Sequence, residues 1–324
     1  MTRALHRATL SLATPLGTPL AGDTLFGQCC WALREALGEA ELKRRLDGYT
    51  QNEPWLIVSD GFPVGHLPKP TLPQGFEPQP GPAARKAAKK KHWIPAARAS
   101  DTLDALLASA VDDTQAYGRD TQNRSLAPMR TVQPHNTLNR LTGSTGETAF
   151  APYAMPQTFH TAGQRIDVYF VLDSDRGSSD ETKRLIEAIG AIGFGRDASI
   201  GLGKFTVAPI ESAAFAAPAN ANAFWTLAAC APQGQGFDGT KSYWRVLTRF
   251  GRHGNALALA ANPFKTPVIM ATTGAVFAPR GAFSPSLFIG QGLGGNGALS
   301  KVEPATVHQG YAPAIPICLL ESKS

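Results

Sequence analysis

Apolar and polar positions alternate between residues 4 and 12. Ala4, His6, Ala8, Leu10 and Leu12 fall on one side and Arg7, Thr9 and Ser11 on the other, so the chain opens on a half-buried strand. Thr14 to Gly22 is rich in Pro and Gly and reads as a turn, after which Asp23 stands where a helix N-cap belongs. Leu25, Cys29, Leu33 and Leu37 recur every fourth residue, predicting a helix over 24–37 that Gly38 can close in the left-handed conformation. Trp55 to Val58 is a short apolar strand. Eleven of the 22 residues from Gly61 to Pro82 are Gly or Pro, which predicts a long irregular excursion. The Ala/Lys run from Ala83 to His92 can turn helical. Leu103, Leu106 and Leu107 predict a short helical turn over 101–108.

Downstream, 165–172 is a strand, and Leu185, Ile186, Ile189 and Ile192 share a face of a helix over 180–192 capped by Ser179 or Asp180. A strand follows over 204–210. These elements read β-α-β-β-α-β, the order of the ferredoxin-like or RNA-recognition topology. From about Ala213 the chain becomes Ala-rich and strand-like, with segments at 224–228, 243–250, 268–272, 275–278 and 286–289 before a tail at 308–320. The fold class expected is α+β, with a first domain over 1–210 and a β-rich second domain over 211–324. A basic excursion at 61–100 and a polar stretch at 124–150 are inserted between the second and third strands of the first.

Composition narrows the class. A 324-residue chain with 43% hydrophobic and 17% charged residues folds. It holds no apolar run approaching the ~20 residues of a membrane span. The N-terminus lacks an apolar core and a small-residue cleavage site, so a strand is expected there, not a signal peptide. The four cysteines, Cys29, Cys30, Cys230 and Cys318, offer no CxxC pair and no zinc-type spacing, which suits a reduced, cytoplasmic protein. The formal charge is +6, and seven Lys/Arg against one acid, Glu77, lie between Gly61 and Ser100. A dense basic segment on a near-neutral body suits a polyanion, although a solvated loop would look the same.

Two stretches carry candidate chemistry. Gly193-Phe-Gly-Arg196-Asp-Ala-Ser-Ile-Gly201-Leu-Gly203-Lys204-Phe205 packs four glycines and two cations between a helix and a strand. Consecutive backbone N–H groups in such a loop form an anion-binding concavity, with Arg196 and Lys204 beside it. A tight helix-to-strand connection with two solvated cations is the structural alternative. If Gly201 and Gly203 hold positive φ, a branched side chain there strains the backbone and fills the space a phosphate would take. The second stretch runs from Arg130 through His135, Asn136, Asn139 and Arg140 to Glu147. Its donors suit phosphate and ribose contacts, or an ordinary polar hairpin with its own Asx turns.

Several tempting strings fail. Gly290-x-Gly292-x-x-Gly295 matches a dinucleotide fingerprint but opens no amphipathic helix. Gly203-Lys204 lacks the remainder of a phosphate-binding NTPase loop, and neither a nucleophile elbow nor HExxH occurs. Asp173, Asp175 and Asp180 follow no calcium-loop order. His135 could serve as a general base for RNA cleavage, but it has no partner acid in sequence. No catalytic residue, metal or cofactor is expected.

The motifs nevertheless recur together in one family. Gly22–Gly27 after a first strand, Ser59-Asp60-Gly61-Phe62-Pro63, His135–Arg140, Gly193–Phe205 and Gly290–Gly297 resemble, in order, the RAMP proteins of CRISPR effector complexes. Within them the chain is most similar to the fourth subunit of the type III-A Csm complex. The resemblance implies two ferredoxin-like domains with a thumb-like insertion (124–150) and glycine-rich loops. It also implies no catalytic activity, capture of the 5′ handle of a CRISPR RNA, and docking beside the large polymerase-type subunit and the backbone RAMP subunit. The RNA-binding set it implies is Arg124, Arg130, His135, Asn136 and Arg140 on the insertion. To these it adds Gly195, Arg196, Ser199, Gly201, Gly203 and Lys204 on the central loop, and Gly290, Gly292, Gly294 and Gly295 near the C-terminus. The Lys/Arg-rich segment 83–98 has no counterpart in it. A catalytic RAMP that processes CRISPR RNA and a free-standing RNA-binding protein are the alternatives.

Overall fold

The computed structural model describes residues 2–73, 76, 86–147 and 150–319. Strand β1 (Arg3–Leu12) pairs along nearly its whole length with β8 (Arg165–Asp173), and β8 pairs on its other edge with β2 (Leu56–Pro63). β9 (Phe205–Val207) and β10 (Glu211–Ser212) share the free edge of β1, one at each end. All pairings are antiparallel. Counting the four expected strands in chain order, the sheet runs 4-1-3-2, the split βαβ arrangement anticipated from the element order. Helix α1 (Gly22–Leu37) is followed by α2 (Glu39–Leu46), and α1 packs against β2 and α3 (Ser179–Ile192), while α3 packs against β9. Every residue of β8 after Arg165 is buried, which explains its near-continuous apolar composition.

Three local readings need correction. Asp23 does not cap α1: the N-cap is Ala21, and the Gly22 N–H donates instead to Asp60 Oδ1 at 2.8 Å. Ser178, not Ser179 or Asp180, caps α3 through the Glu181 N–H. The excursion is also partly regular. β2 runs through Gly61 to Pro63, and β3 (His66–Pro68), β4 (Lys91–Pro95) and β5 (Val111–Asp112) form a small antiparallel sheet. Fully buried Leu67 and Ile94 hold that sheet to the body, and the Trp93 indole donates to Asp113 at 2.7 Å. Residues 86–88 make the anticipated helical turn. Arg85, Glu77 and the rest of 77–85 lie outside the described residues.

The second sheet contains β11 (Ala223–Thr226), β14 (Val276–Phe277), β15 (Phe288–Gly294) and β16 (Val307–Ile317), in the order β14-β11-β16-β15. This order differs from that of the first sheet, and no α-helix follows α3 among the described residues, so a second ferredoxin-like unit is not evident. Most of the 308–320 tail belongs to the inner strand β16, which ends at Ile317, and Leu320 lies outside the described residues. A separate two-stranded ribbon joins β12 (Val246–Arg249) to β13 (Val268–Ala271). Both sheets feed one apolar core, in which Phe26, Tyr49, Trp55 and Phe170 join Trp225, Tyr311 and Ile315. Polar groups tie them as well. The Gln309 side chain accepts from Val58 N and donates to Val58 O, and Tyr311 Oη donates to Tyr49 O at 2.6 Å.

Two carboxylates, buried Asp23 and half-buried Asp60, mark the seam. Asp23 Oδ2 lies 2.6 Å from Arg249 Nε and 3.3 Å from His308 Nε2. Burial works to raise its pKa, but His308 and Arg249 together hold it below the ordinary value. Asp60, bonded to Gly22 N and the Thr273 hydroxyl, is instead pushed up to about 6 by burial. Ionised Asp60 therefore opposes folding: its contribution is most favourable below the unfolded carboxylate pKa near 4 and is lost as pH rises through about 6. The expected outcome for Asp60→Asn, which keeps both hydrogen bonds possible, is a shallower pH dependence in that window. Urea unfolding at the two ends should show wild type losing about 1–3 kcal/mol relative to the variant as pH rises, at roughly 1.4 kcal/mol per pKa unit. Parallel pH profiles would show that Asp60 does not titrate there.

Candidate nucleic-acid interface

The segment read as a Pro/Gly turn is what assembles the site. After β1 ends, Ala13 N donates to Lys204 O at 2.8 Å, and Lys204 N donates to Thr14 Oγ1 at 2.9 Å. Gly203 N donates to Pro15 O, and Arg196 N donates to Thr18 Oγ1 at 3.0 Å. On its other side, Leu16 forms a two-bond bridge with Thr158, both bonds 2.9 Å. Thr158 belongs to β7 (Tyr153–Phe159), which pairs with β6 (Met129–His135) in an antiparallel hairpin. Residues 13–18 thus clasp the central glycine loop and the polar hairpin together, two stretches about sixty residues apart in sequence.

Within the loop Gly193, Gly195, Gly201 and Gly203 all hold positive φ, as does Asp197. The amides of Gly193, Phe194, Arg196 and Ile200 to Lys204 donate inside the protein. The concavity is accordingly smaller than the sequence implied. The donors left for a ligand are at most those of Gly195, Asp197, Ala198 and Ser199. Arg196 is only partly free: Nε donates to Asp197 Oδ2 at 3.2 Å and Nη2 to Pro156 O on β7. Its charge braces the hairpin, whereas Ser199 and Lys204 are exposed.

On the hairpin, Arg130 is exposed and His135 half-buried. The His135 ring stacks on Tyr153, with centroids 5.2 Å apart and planes at 13°. Its Nε2 accepts from the amide of buried Gln157 at 3.3 Å, which fixes the imidazole orientation. Asn136 and Arg140 are exposed at the hairpin end, where Asn139 satisfies itself in an Asx turn with Leu141 N. Arg124 lies in the turn before the hairpin, paired with Asp120 at 2.7 Å. The hairpin that carries Arg130 and His135 is therefore held to the loop through residues 13–18 and Arg196, and Arg124 is engaged in its own ion pair.

The C-terminal glycines are in a different setting. Gly290, Gly292 and Gly294 are not an open loop but part of β15, paired with β16. A Cβ at Gly292 would lie 2.4 Å from Tyr49 O, so this glycine admits close packing of β15 on the 49–51 turn. Gly295 N donates to Thr306 O, and the Gln235 side chain brackets Gly290 through its N–H and carbonyl. These residues pack on Tyr49, Gln235 and β16 rather than on the 193–204 loop. No group of three or more His, Cys, Asp or Glu that could hold a metal occurs among the described residues, and burial pushes the Cys30 and Cys230 thiols up to about 12. No described helix is long and apolar enough to cross a membrane.

No protein-family model matches the chain, and none of the curated proteins does. Solved structures do. A chain of the Csm3-Csm4 subcomplex of the type III-A CRISPR-Cas interference complex matches 97% of this chain over 100% of its own length, at 12% identity and a TM-score of 0.57. A chain of the Csm1-Csm4 cassette in complex with cA4 covers 98% of this chain and 99% of its own length, at 14% identity and a TM-score of 0.53. The cassette in complex with AMPPNP gives the same coverage with a TM-score of 0.50. The fold is thus the one found in these CRISPR assemblies. Csm4 is the component the two kinds of assembly share.

Gly203 and Gly201 should separate scaffold from surface. A Cβ at Gly203 would lie 2.2 Å from Phe194 O, against the loop's own backbone and not in a ligand space; at Gly201 nothing lies within 4 Å. Gly203→Val is expected to lose most folded protein or lower Tm sharply. Gly201→Ala carries only the positive-φ cost, on the order of 1 kcal/mol. Similar melting curves for the two variants would contradict this division.

Proposed function

We propose that this chain is a non-catalytic, RNA-binding subunit of a type III-A CRISPR effector complex that holds the repeat-derived 5′ handle of the CRISPR RNA. The observation that carries this reading is the clasp. It holds the glycine loop, with Lys204 at its end, against the hairpin that carries Arg130 and the stacked His135–Tyr153 pair, in a fold shared with Csm4-containing assemblies. Amides at Gly195 and Asp197 to Ser199 would take phosphate oxygens, and Arg130 and Lys204 would add charge. Tyr153, 48% exposed and backed by His135, offers a ring for an unstacked base. In this reading the chain works in the cytoplasm and docks beside the large polymerase-type subunit and the backbone RAMP subunit. The Lys89–Lys91 run at the start of β4 supplies a further cationic edge.

Arg130→Gln with Lys204→Gln should weaken handle-RNA binding and leave Tm near wild type. Two lost phosphate contacts should flatten the slope of log K against log[salt] by roughly 1.4. Unaltered slope and affinity would remove these residues from the site. The non-catalytic assignment has its own test. Repeat RNA incubated with the purified chain, with and without divalent metal, should stay intact; cleavage that His135→Ala abolishes would make this a nuclease.

A further inference from the structure

The ribbon β12–β13 is not used by the clasp or by the hairpin. From Gly239 to Val302 the chain holds no Asp or Glu, yet it carries Lys241, Arg245, Arg249, Arg252, Lys265, Arg280 and Lys301. Strand alternation sorts β12. Arg249 turns inward to Asp23, whereas Trp244, Val246, Thr248 and Phe250 form an exposed row, with Ile269 opposite Thr248. Trp244 and Phe250 are 42% and 73% exposed, respectively. One face of the Trp244 indole stacks on Phe277 at 5.6 Å, which holds the ring in place and leaves its other side accessible. A cavity of ≈ 490 Å³ opens beside it, bordered by Phe237, Val246, Ile269 and Arg280. Further along, the Arg252 guanidinium lies over the Phe264 ring at 5.8 Å. Arg245, Arg252 and Arg280 are all exposed.

We infer that the outer face of this ribbon is a second contact surface for single-stranded nucleic acid, taking a base against Trp244 and phosphates at Arg252 and Arg280, with the exposed Arg245 at its edge. Rigid exposed rings set among arginines, with no acid in the tract, are the chemistry of a stacking platform inside a positive groove. The ribbon is anchored through Arg249 and by the bridge of Ala271 to Cys230, and a bound strand would cover its exposed apolar row. The surface shares no residue with the proposed handle site and would hold a different part of an RNA chain.

The test uses the full-length chain carrying Arg130→Gln and His135→Ala, so that the hairpin contributes little. The probe is a short unstructured RNA with no handle sequence, bearing 4-thiouridine. In that background Arg252→Gln with Arg280→Gln should reduce affinity about tenfold and flatten the salt slope by roughly 1.4. Trp244→Ala should reduce it roughly 5- to 100-fold, with most restored in Trp244→Phe. Crosslinks should map to 237–252. Unchanged affinity in the arginine pair, which carries little risk to folding, or crosslinks confined to the hairpin and the 193–204 loop, overturns the inference. So does an arginine pair that keeps RNA affinity but drops another subunit from the co-purified complex, since the face then docks protein. The handle reading is measured separately, with handle RNA on an intact hairpin.

Discussion

Residues 13–18 are the constraint on which the site depends. A strand that has just left a sheet must satisfy its remaining backbone groups, and this one does so in two directions at once. Toward one side it meets Gly203, Lys204 and Arg196, and toward the other it meets Thr158. Neither the glycine loop nor the hairpin touches a ligand through this segment, yet their relative position is set by it. Gly17 shows how close the fit is: a Cβ there would lie 2.5 Å from Arg196 O. Arg196 closes the arrangement by reaching the carbonyl of Pro156, so a residue that reads in sequence as a phosphate ligand also braces the hairpin. A free cation would contribute to affinity alone; this one contributes to shape as well.

The seam between the two sheets follows another logic. The sequence boundary near residue 210 is real as a change of composition, but the core crosses it without interruption. Placing Asp23 and Asp60 there makes the joint electrostatic as well as apolar. Asp23 holds the ribbon and β16 through Arg249 and His308, and Asp60 holds the start of α1 and Thr273. A buried carboxylate flanked by an arginine and an imidazole stays ionised, and one with a hydroxyl and an amide does not easily do so. The same residue type thus does opposite work on the two sides of one helix terminus. A joint of this kind is specific in geometry while adding little net stability.

Much of the first sheet was legible because its signals are local. Alternation marked β1, the fourfold spacing marked α1, and the apolar run of β8 could only be a buried strand. Their order then implied the 4-1-3-2 sheet. What was not legible depends on distant partners. Asp23 occupies a cap-like position, but Arg249, more than two hundred residues away, decides its role. β16 reads as a tail because Gly310, Pro313 and Pro316 dilute its periodicity, and only pairing on both edges makes it a strand. The Gly/Pro excursion hid β3 for the same reason. Thr14, Thr18 and Gly17 did carry a signal, hydroxyls and a glycine spaced along a turn, but such a turn shows no target until the loop is folded against it.

Glycine and charge each illustrate how far composition can be pushed. The tracts at 193–203 and 290–295 look alike as strings, and both permit backbone to approach backbone. In the first, part of the amide set remains for a ligand; in the second, β-pairing and the packing on Tyr49 use the glycines entirely. Density of glycine therefore marks close approach, and only the hydrogen-bond inventory says whether the approaching group belongs to the protein or to a ligand. Charge behaves in the same way. The excursion at 61–100 concentrates the net excess, whereas the acid-free 239–302 tract is balanced elsewhere in the chain and vanishes from a total. Folding then divides that tract, turning Arg249 inward to an acid and leaving Arg245, Arg252 and Arg280 exposed. A field at a surface is made by the charges that remain unpaired there, so a chain that is close to neutral outside its basic excursion can still present a positive face.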